Sequence, residues 1–179
     1  MDVADAIRLK RAVRSFAPEP LSTEDVRSIL NAGRRAQSSK NTQPWQFIAI
    51  QDRLTLEGLA GLGTYAGHLA GAALGVVIAT VDPAPPVSVH RGGERWSILF
   101  DAGQAAANMQ LAAWERGIGS CLATLYQEDA ARNLLGVPPS FHLHVALSFG
   151  RPLDPAALTA PPRSSGRRAL TDVVHWERW

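Results

Sequence analysis

The chain has 179 residues, 46% of them hydrophobic, with 18 Lys and Arg against 16 Asp and Glu; that length suits one domain with a real core, and so small a charge excess gives little support to nucleic-acid binding despite a pI near 9.1. A single cysteine, Cys121, excludes an internal disulfide framework or a cysteine-rich metal site. No apolar run reaches the roughly 18 residues of a membrane span and MDVADAIRLKR offers no signal peptide, so a soluble, cytoplasmic protein is expected.

Asp2 can cap a short helix with Val3, Ala6 and Ile7 on one side. The helix runs into the cations Lys10, Arg11 and Arg14 before Phe16, and Pro18 and Pro20 stop it. Ser22 and Asp25 have the spacing of a capping box for a second helix, with Val26, Ile29, Leu30 and Gly33 inward and Arg34 and Arg35 at its end. Residues 36–45, AQSSKNTQPW, form a polar loop without apolar period that leads into a strand at 46–50. A polar loop joined to a buried strand is a common place for a site. Residues 55–62 and 65–71 look like short glycine-rich helices, and 74–81 is a β-branched strand ended by 82–86. Residues 87–94, with Gly92 and Gly93, make a loop flexible enough to be a lid.

Residues 96–121 read as one long helix around which the rest is organised. Ser97, Asp101, Gln104, Asn108 and Glu115 fall on one narrow stripe and the other sides are apolar, so the helix is expected to be buried almost all round. Arg116 and Gly117 supply a last-turn cation and a glycine that turns the chain out into a strand-like run, 118–125. A short helix at 128–135, closed by Gly136, precedes a strand at 141–149. Packing should thin over the proline- and serine-rich residues 150–166, after which 167–179 ends in VVHWERW, an aromatic tail that must dock on its own sheet or on another copy. Short helices alternating with four or five strands favour an α+β domain spanning 1–179.

Lys10, Arg11 and Arg14 lie together near the start, and Arg167 and Arg168 near the end. Guanidinium groups are natural partners of phosphate, although solvated surface charge is the plainer reading. In SSKNTQPW the hydroxyls of Ser38 and Ser39 and the amides of Asn41 and Gln43 offer donors and acceptors that suit a heterocycle, or simply an ordinary hydrogen-bonded loop. Gly58, Gly61, Gly63, Gly67 and Gly71 precede a strand instead of following one, which excludes a dinucleotide fingerprint and leaves packing glycines. His142 and His144 share a strand without a third ligand, and Cys121 has no accompanying base, so neither a metal site nor a thiol nucleophile is expected. With no group for hard chemistry, a cofactor is expected to supply it.

Four stretches, KRAVRSF, AQSSKNTQPW, DAGQAAANMQLAAWERGIGSC and RRALTDVVHWERW, together resemble the nitroreductase-like family of FMN-dependent oxidoreductases, in family order along the whole chain. The resemblance implies a mixed or antiparallel sheet flanked by helices, with a long central helix at a homodimer interface and a C-terminal extension wrapping the partner. It implies that Lys10, Arg11, Arg14 and Arg167, with Arg168 beside them, hold the flavin phosphate and ribityl chain. Ser38, Ser39, Asn41 and Gln43 would come from the partner subunit, and the backbone of Leu122, Ala123 and Thr124 would lie along the flavin ring. Ala12 stands where the family commonly has serine, and Gln37 where proline is common.

The implied activity is NAD(P)H-dependent reduction of nitroaromatics, quinones or similar small acceptors by a ping-pong cycle, with NADH or NADPH as reductant and no residue assigned as acid or base. Alternatives are a flavin or deazaflavin carrier or sensor without turnover, or a flavin-fragmenting or dehalogenating relative.

Overall fold

Trp45–Ile50 (β1), Leu74–Val81 (β2), Gly119–Thr124 (β3) and Phe141–Gly150 (β4) form one sheet in the order β1-β2-β4-β3, every neighbour antiparallel. The computed structural model describes residues 2–81, 93–161 and 167–179. The central strand β2, LGVVIATV, is buried at every position but its last, which its nearly unbroken apolar run requires of a strand covered on both faces. The α+β architecture with an antiparallel sheet matches expectation, with four strands among the described residues.

One face is covered by the helices Thr23–Arg34 (α2) and Gly93–Glu115 (α4), which enclose Ile29, Trp45, Val76, Ile78, Ala105, Met109, Leu147 and Phe149. The other carries Arg53–Ala60 (α3) and Glu128–Leu135 (α5), together with a 3-10 turn at Gly67–Leu69, over Leu56, Leu59, Leu69, Val77 and Ala146. Ser22 caps α2 through the Asp25 amide as its spacing predicts, at 3.0 Å, and Gly136 ends α5 in the left-handed region at φ 65°. Of the glycines read as packing residues, Gly63 meets that description, since a Cβ there would lie 2.5 Å from the Thr124 carbonyl, whereas Gly67 and Gly71 face open space.

Three expectations need correction. The first helix (α1, Val3–Leu9) ends at Lys10 and does not run on to the prolines. Residue 12 bridges in parallel to Ser120, and the Val13 amide donates to the Ser120 carbonyl at 2.9 Å, so the edge of β3 draws this segment into an extended path. The central helix stops at Glu115; Gly117 at φ 69° reverses the chain, and Cys121 lies inside β3. Nor is that helix buried all round: Trp96, Leu99 and Phe100 are 65, 43 and 58% exposed, while the stripe residue Asp101 is buried. The expected lid, 87–94, lies outside the described residues over 87–92, and its last two positions open α4.

Candidate functional site

The extended segment after α1 brings the first cations to the edge of β3. Lys10 is half-buried and its Nζ donates to Gln110 Oε1 on α4 at 2.9 Å. Burial is the largest influence on its ammonium and holds it below the usual lysine value; the Cys121 thiol opposes this and the Arg167 guanidinium adds to it. The charge of Arg167, near the other end of the chain, is thus felt at Lys10. Among the described residues no carboxylate pairs with it, which leaves room for an anionic group. Arg14, further along the extended segment, is exposed and acts on the buried His68.

Two other expected cations are engaged differently. Arg11 donates from Nε to the Leu9 carbonyl at 3.1 Å and from its terminal nitrogens to the Ala160 and Pro161 carbonyls, at 2.5 and 3.4 Å, tying the connector after β4 to the start of the chain. Arg168 donates to the Asp172 carbonyl in its own tail turn. Ala12 is exposed next to Ser120, whose buried hydroxyl has no hydrogen-bond partner among the described residues. Leu122 and Thr124 are exposed on β3, while Ala123 is buried on its other face. Among the described residues nothing pairs with the outer edge of β3 beyond the residue 12 bridge, so the backbone groups that point outward there are open to a ligand.

The polar loop makes a separate unit. Its 3-10 turn, Ser39–Asn41, is held to α4 by the Ser39 amide donating to Asp101 Oδ2 at 2.9 Å. Ser38 Oγ accepts from the Gln43 amide at 3.0 Å, and Lys40, Asn41 and Gln43 all have positive φ, between 49° and 56°. Left-handed backbone at three non-glycine positions costs of order 1 kcal/mol each and is typical of functional loops. The Asn41 and Gln43 side chains are exposed.

Asp101 and Gln110 are nine residues apart on α4. At 100° and 1.5 Å per residue they point in opposite directions and stand about 13 Å apart along the axis. The loop and the cation cluster thus flank opposite sides of one helix. Between them, opposite the core, runs an outward stripe of Trp96, Phe100, Gly103 and Ala107, all exposed.

The nitroreductase family model matches residues 7–66 and 60–151. The chain belongs to the nitroreductase family. A protein of Archaeoglobus fulgidus named "Putative NADH dehydrogenase/NAD(P)H nitroreductase" is 30% identical over 97% of this chain and 96% of its own. Among solved structures, the FMN-dependent nitroreductase of Clostridium difficile superposes with a TM-score of 0.83 at 23% identity, covering 99% of this chain and 100% of that one. The NADPH:FMN oxidoreductase of Vibrio harveyi, complexed with NAD+, gives 0.84 at 23% identity, covering 98% and 77%. Within this nitroreductase-family fold the donor set fits a flavin mononucleotide: cations for a phosphate, an open strand edge and carboxamides for a ring bearing carbonyls and NH groups.

In the sequence neither Asp101 nor Gln110 stands out: Asp101 is one member of the polar stripe and Gln110 lies outside it. Their half-turn separation on a helix is the signal that marks them.

Proposed function

We propose that this protein is an FMN-dependent oxidoreductase that takes electrons from NADH or NADPH and passes them to small acceptors such as nitroaromatics or quinones, working as a homodimer. The observation that carries the reading is the placement of the loop and the cations on opposite sides of α4. One chain cannot close both on a single ligand, whereas two chains packed along the exposed stripe of α4 present the loop of one to the cations of the other. The tail supports the same arrangement. Leu170, Val173, Trp176 and Trp179 are exposed at 72, 52, 81 and 101%. An open groove of about 560 Å³ lies along edge strand β1, lined by Arg27, Leu30, Arg34, Trp45 and Phe47, and suits an aromatic segment that carries Glu177.

In this arrangement Lys10, Arg14 and Arg167 bind the phosphate and ribityl end, with Gln110 fixing the direction of the Lys10 ammonium. Arg11 holds the connector in place behind them. The backbone of Leu122, Ala123 and Thr124 faces the ring, and Ser38, Ser39, Asn41 and Gln43 of the partner subunit meet its polar edge, where donors stabilise developing negative charge. FMN supplies the hydride chemistry, in two half-reactions that share one open face. Solvent supplies the protons.

The test is the visible spectrum of the purified protein, before and after a reduced nicotinamide is added without oxygen. A yellow protein that bleaches within the mixing time supports the reading. A yellow protein that never bleaches is a carrier, and a colourless one that FMN does not restore refutes it. Arg14→Ala with Arg167→Ala removes two charge-assisted contacts, about 3–5 kcal/mol, and should weaken FMN by roughly 10²–10⁴-fold with the fold intact.

A further inference from the structure

Between α4 and the sheet lies a small recess of about 100 Å³ to which the chemistry above gives no task. Ile78, Ala102 and Ala106 form its buried floor, and Leu99, Gly103 and Leu122 its exposed mouth. Two features mark it as built. Ile78 and Ala79 of β2 face Val145 and Leu143 of β4, so His144 is the extra residue of a bulge. Neighbouring residues of a regular strand point to opposite faces, yet His144 and Val145 both line the recess; bulges beside functional sites re-aim side chains in this way. The imidazole is pinned there, its Nε2 3.1 Å from Thr80 Oγ1 and its ring stacked on His142. The second feature is Gly103, inside a helix of 23 residues, where glycine costs stability relative to alanine. A Cβ there would meet nothing within 4 Å, so no neighbour among the described residues requires the glycine.

An unfilled apolar recess also costs stability, and both costs are of the kind retained where an outside group takes the space. The walls are apolar apart from the imidazole, and among the described residues no charged side chain lines them. Such a space does not suit a phosphate, a ribose or a carboxamide. Apolar cavities of about 150 Å³ take up benzene, so this smaller one suits a short branched alkyl group. We propose that the recess holds the alkyl substituent of the electron acceptor, so that alkyl-substituted quinones are preferred to their unsubstituted parent. Leu122 ties the recess to the chemistry: its side chain forms part of the mouth and its backbone is assigned to the flavin ring. A substituent seated there keeps the quinone ring that carries it beside the flavin. The inference rests on the FMN reading for its reaction and on the recess for its selectivity. The quinone gains a hydride and one solvent proton to become the hydroquinone as reduced FMN is reoxidised. Burying a branched alkyl group that the parent lacks should raise kcat/KM about tenfold to a hundredfold.

The experiment compares kcat/KM of the holoprotein for tert-butyl-para-benzoquinone and para-benzoquinone. The wild type should prefer the first by that factor. Gly103→Leu, which fills the recess, should bring the ratio close to unity while FMN per chain and the dimer stay as in the wild type. Equal values in the wild type, or an undiminished preference in Gly103→Leu, would overturn the proposal. So would loss of FMN or of the dimer in that variant, which would assign the space to the cofactor or to the partner. Leu99→Ala, which widens the mouth, decides independently: it should raise kcat/KM for phenyl-para-benzoquinone relative to the tert-butyl compound, and an unchanged ratio would contradict the recess as the seat of the substituent. A probe that carries the substituent without the quinone, tert-butylbenzene, separates this claim from the FMN reading. It should raise the melting temperature of the purified wild type, yellow or colourless, and not that of Gly103→Leu. No shift in the wild type would overturn the recess even if the protein bleaches with a nicotinamide, whereas a shift in a colourless protein that FMN does not restore would overturn the acceptor and keep the recess.

Discussion

At the scale of single residues, Asp25 does more for the fold than its place in a helix cap implies. It is buried in the first turn of α2, accepts from Arg116 Nε at 2.6 Å and lies 3.2 Å from an Arg151 terminal nitrogen, joining the end of α4 to the chain after β4. Arg116 is the largest influence on its carboxyl and holds it below its ordinary value near 3.8, against burial. A depressed carboxyl stabilises the fold fully above its unfolded value and loses that contribution as pH falls through the folded one. The melting temperature should therefore fall more steeply below about pH 4 in the wild type than in Asp25→Asn, as calorimetry across pH 2–6 would read. Asp25→Ala should cost about 2–3 kcal/mol by urea titration, since it leaves two guanidinium groups without their shared acceptor. The cap was legible in the Ser22–Asp25 spacing; the ion pairs were not, because Arg116 and Arg151 meet Asp25 only through long-range folding. The same limit explains Arg11 and Arg168, which the sequence groups with the other cations while the structure turns them to backbone carbonyls.

At the scale of elements, α2 and α4 pack so closely that a Cβ on Gly33 would lie 2.2 Å from Met109 Cε. Gly33→Val should destabilise by about 1–3 kcal/mol through overpacking, and Met109→Ala in the same chain should recover part of that loss; strict additivity of the two substitutions in urea titrations would refute the contact. Most elements announced themselves. The strand at 74–81 and the helix at 128–135 have the expected bounds, since a continuous β-branched run and a glycine stop leave little choice. The path of residues 10–17 was hidden because an edge strand far along the chain decides it, with Val13 lying 2.7 Å from where a Gly119 Cβ would stand. The half-turn between Asp101 and Gln110 was written in their spacing, but only their contacts with Ser39 and Lys10 gave it meaning.

At the scale of the whole molecule, the exposed stripe of α4, the aromatic tail and the groove beside β1 are features that a second copy would cover together. Removing residues 167–179 should yield a monomer by sedimentation velocity and a protein that no longer retains FMN; a dimer of undiminished stability would show that the tail takes no part. The resemblance of the four motifs located these parts in the sequence, but not the placement of loop and cations on opposite sides of α4. The claim at the centre of this account is that each flavin is held by the cations of one chain and the loop of the other. Subunits carrying Arg14→Ala with Arg167→Ala, tagged differently from subunits carrying Ser39→Ala with Asn41→Ala, can be co-expressed and the mixed dimer purified through both tags. One intact site per mixed dimer is predicted, with one FMN per two chains, while each variant alone retains none; a mixed dimer as empty as its parents would place both halves of the site in the same chain and contradict the account.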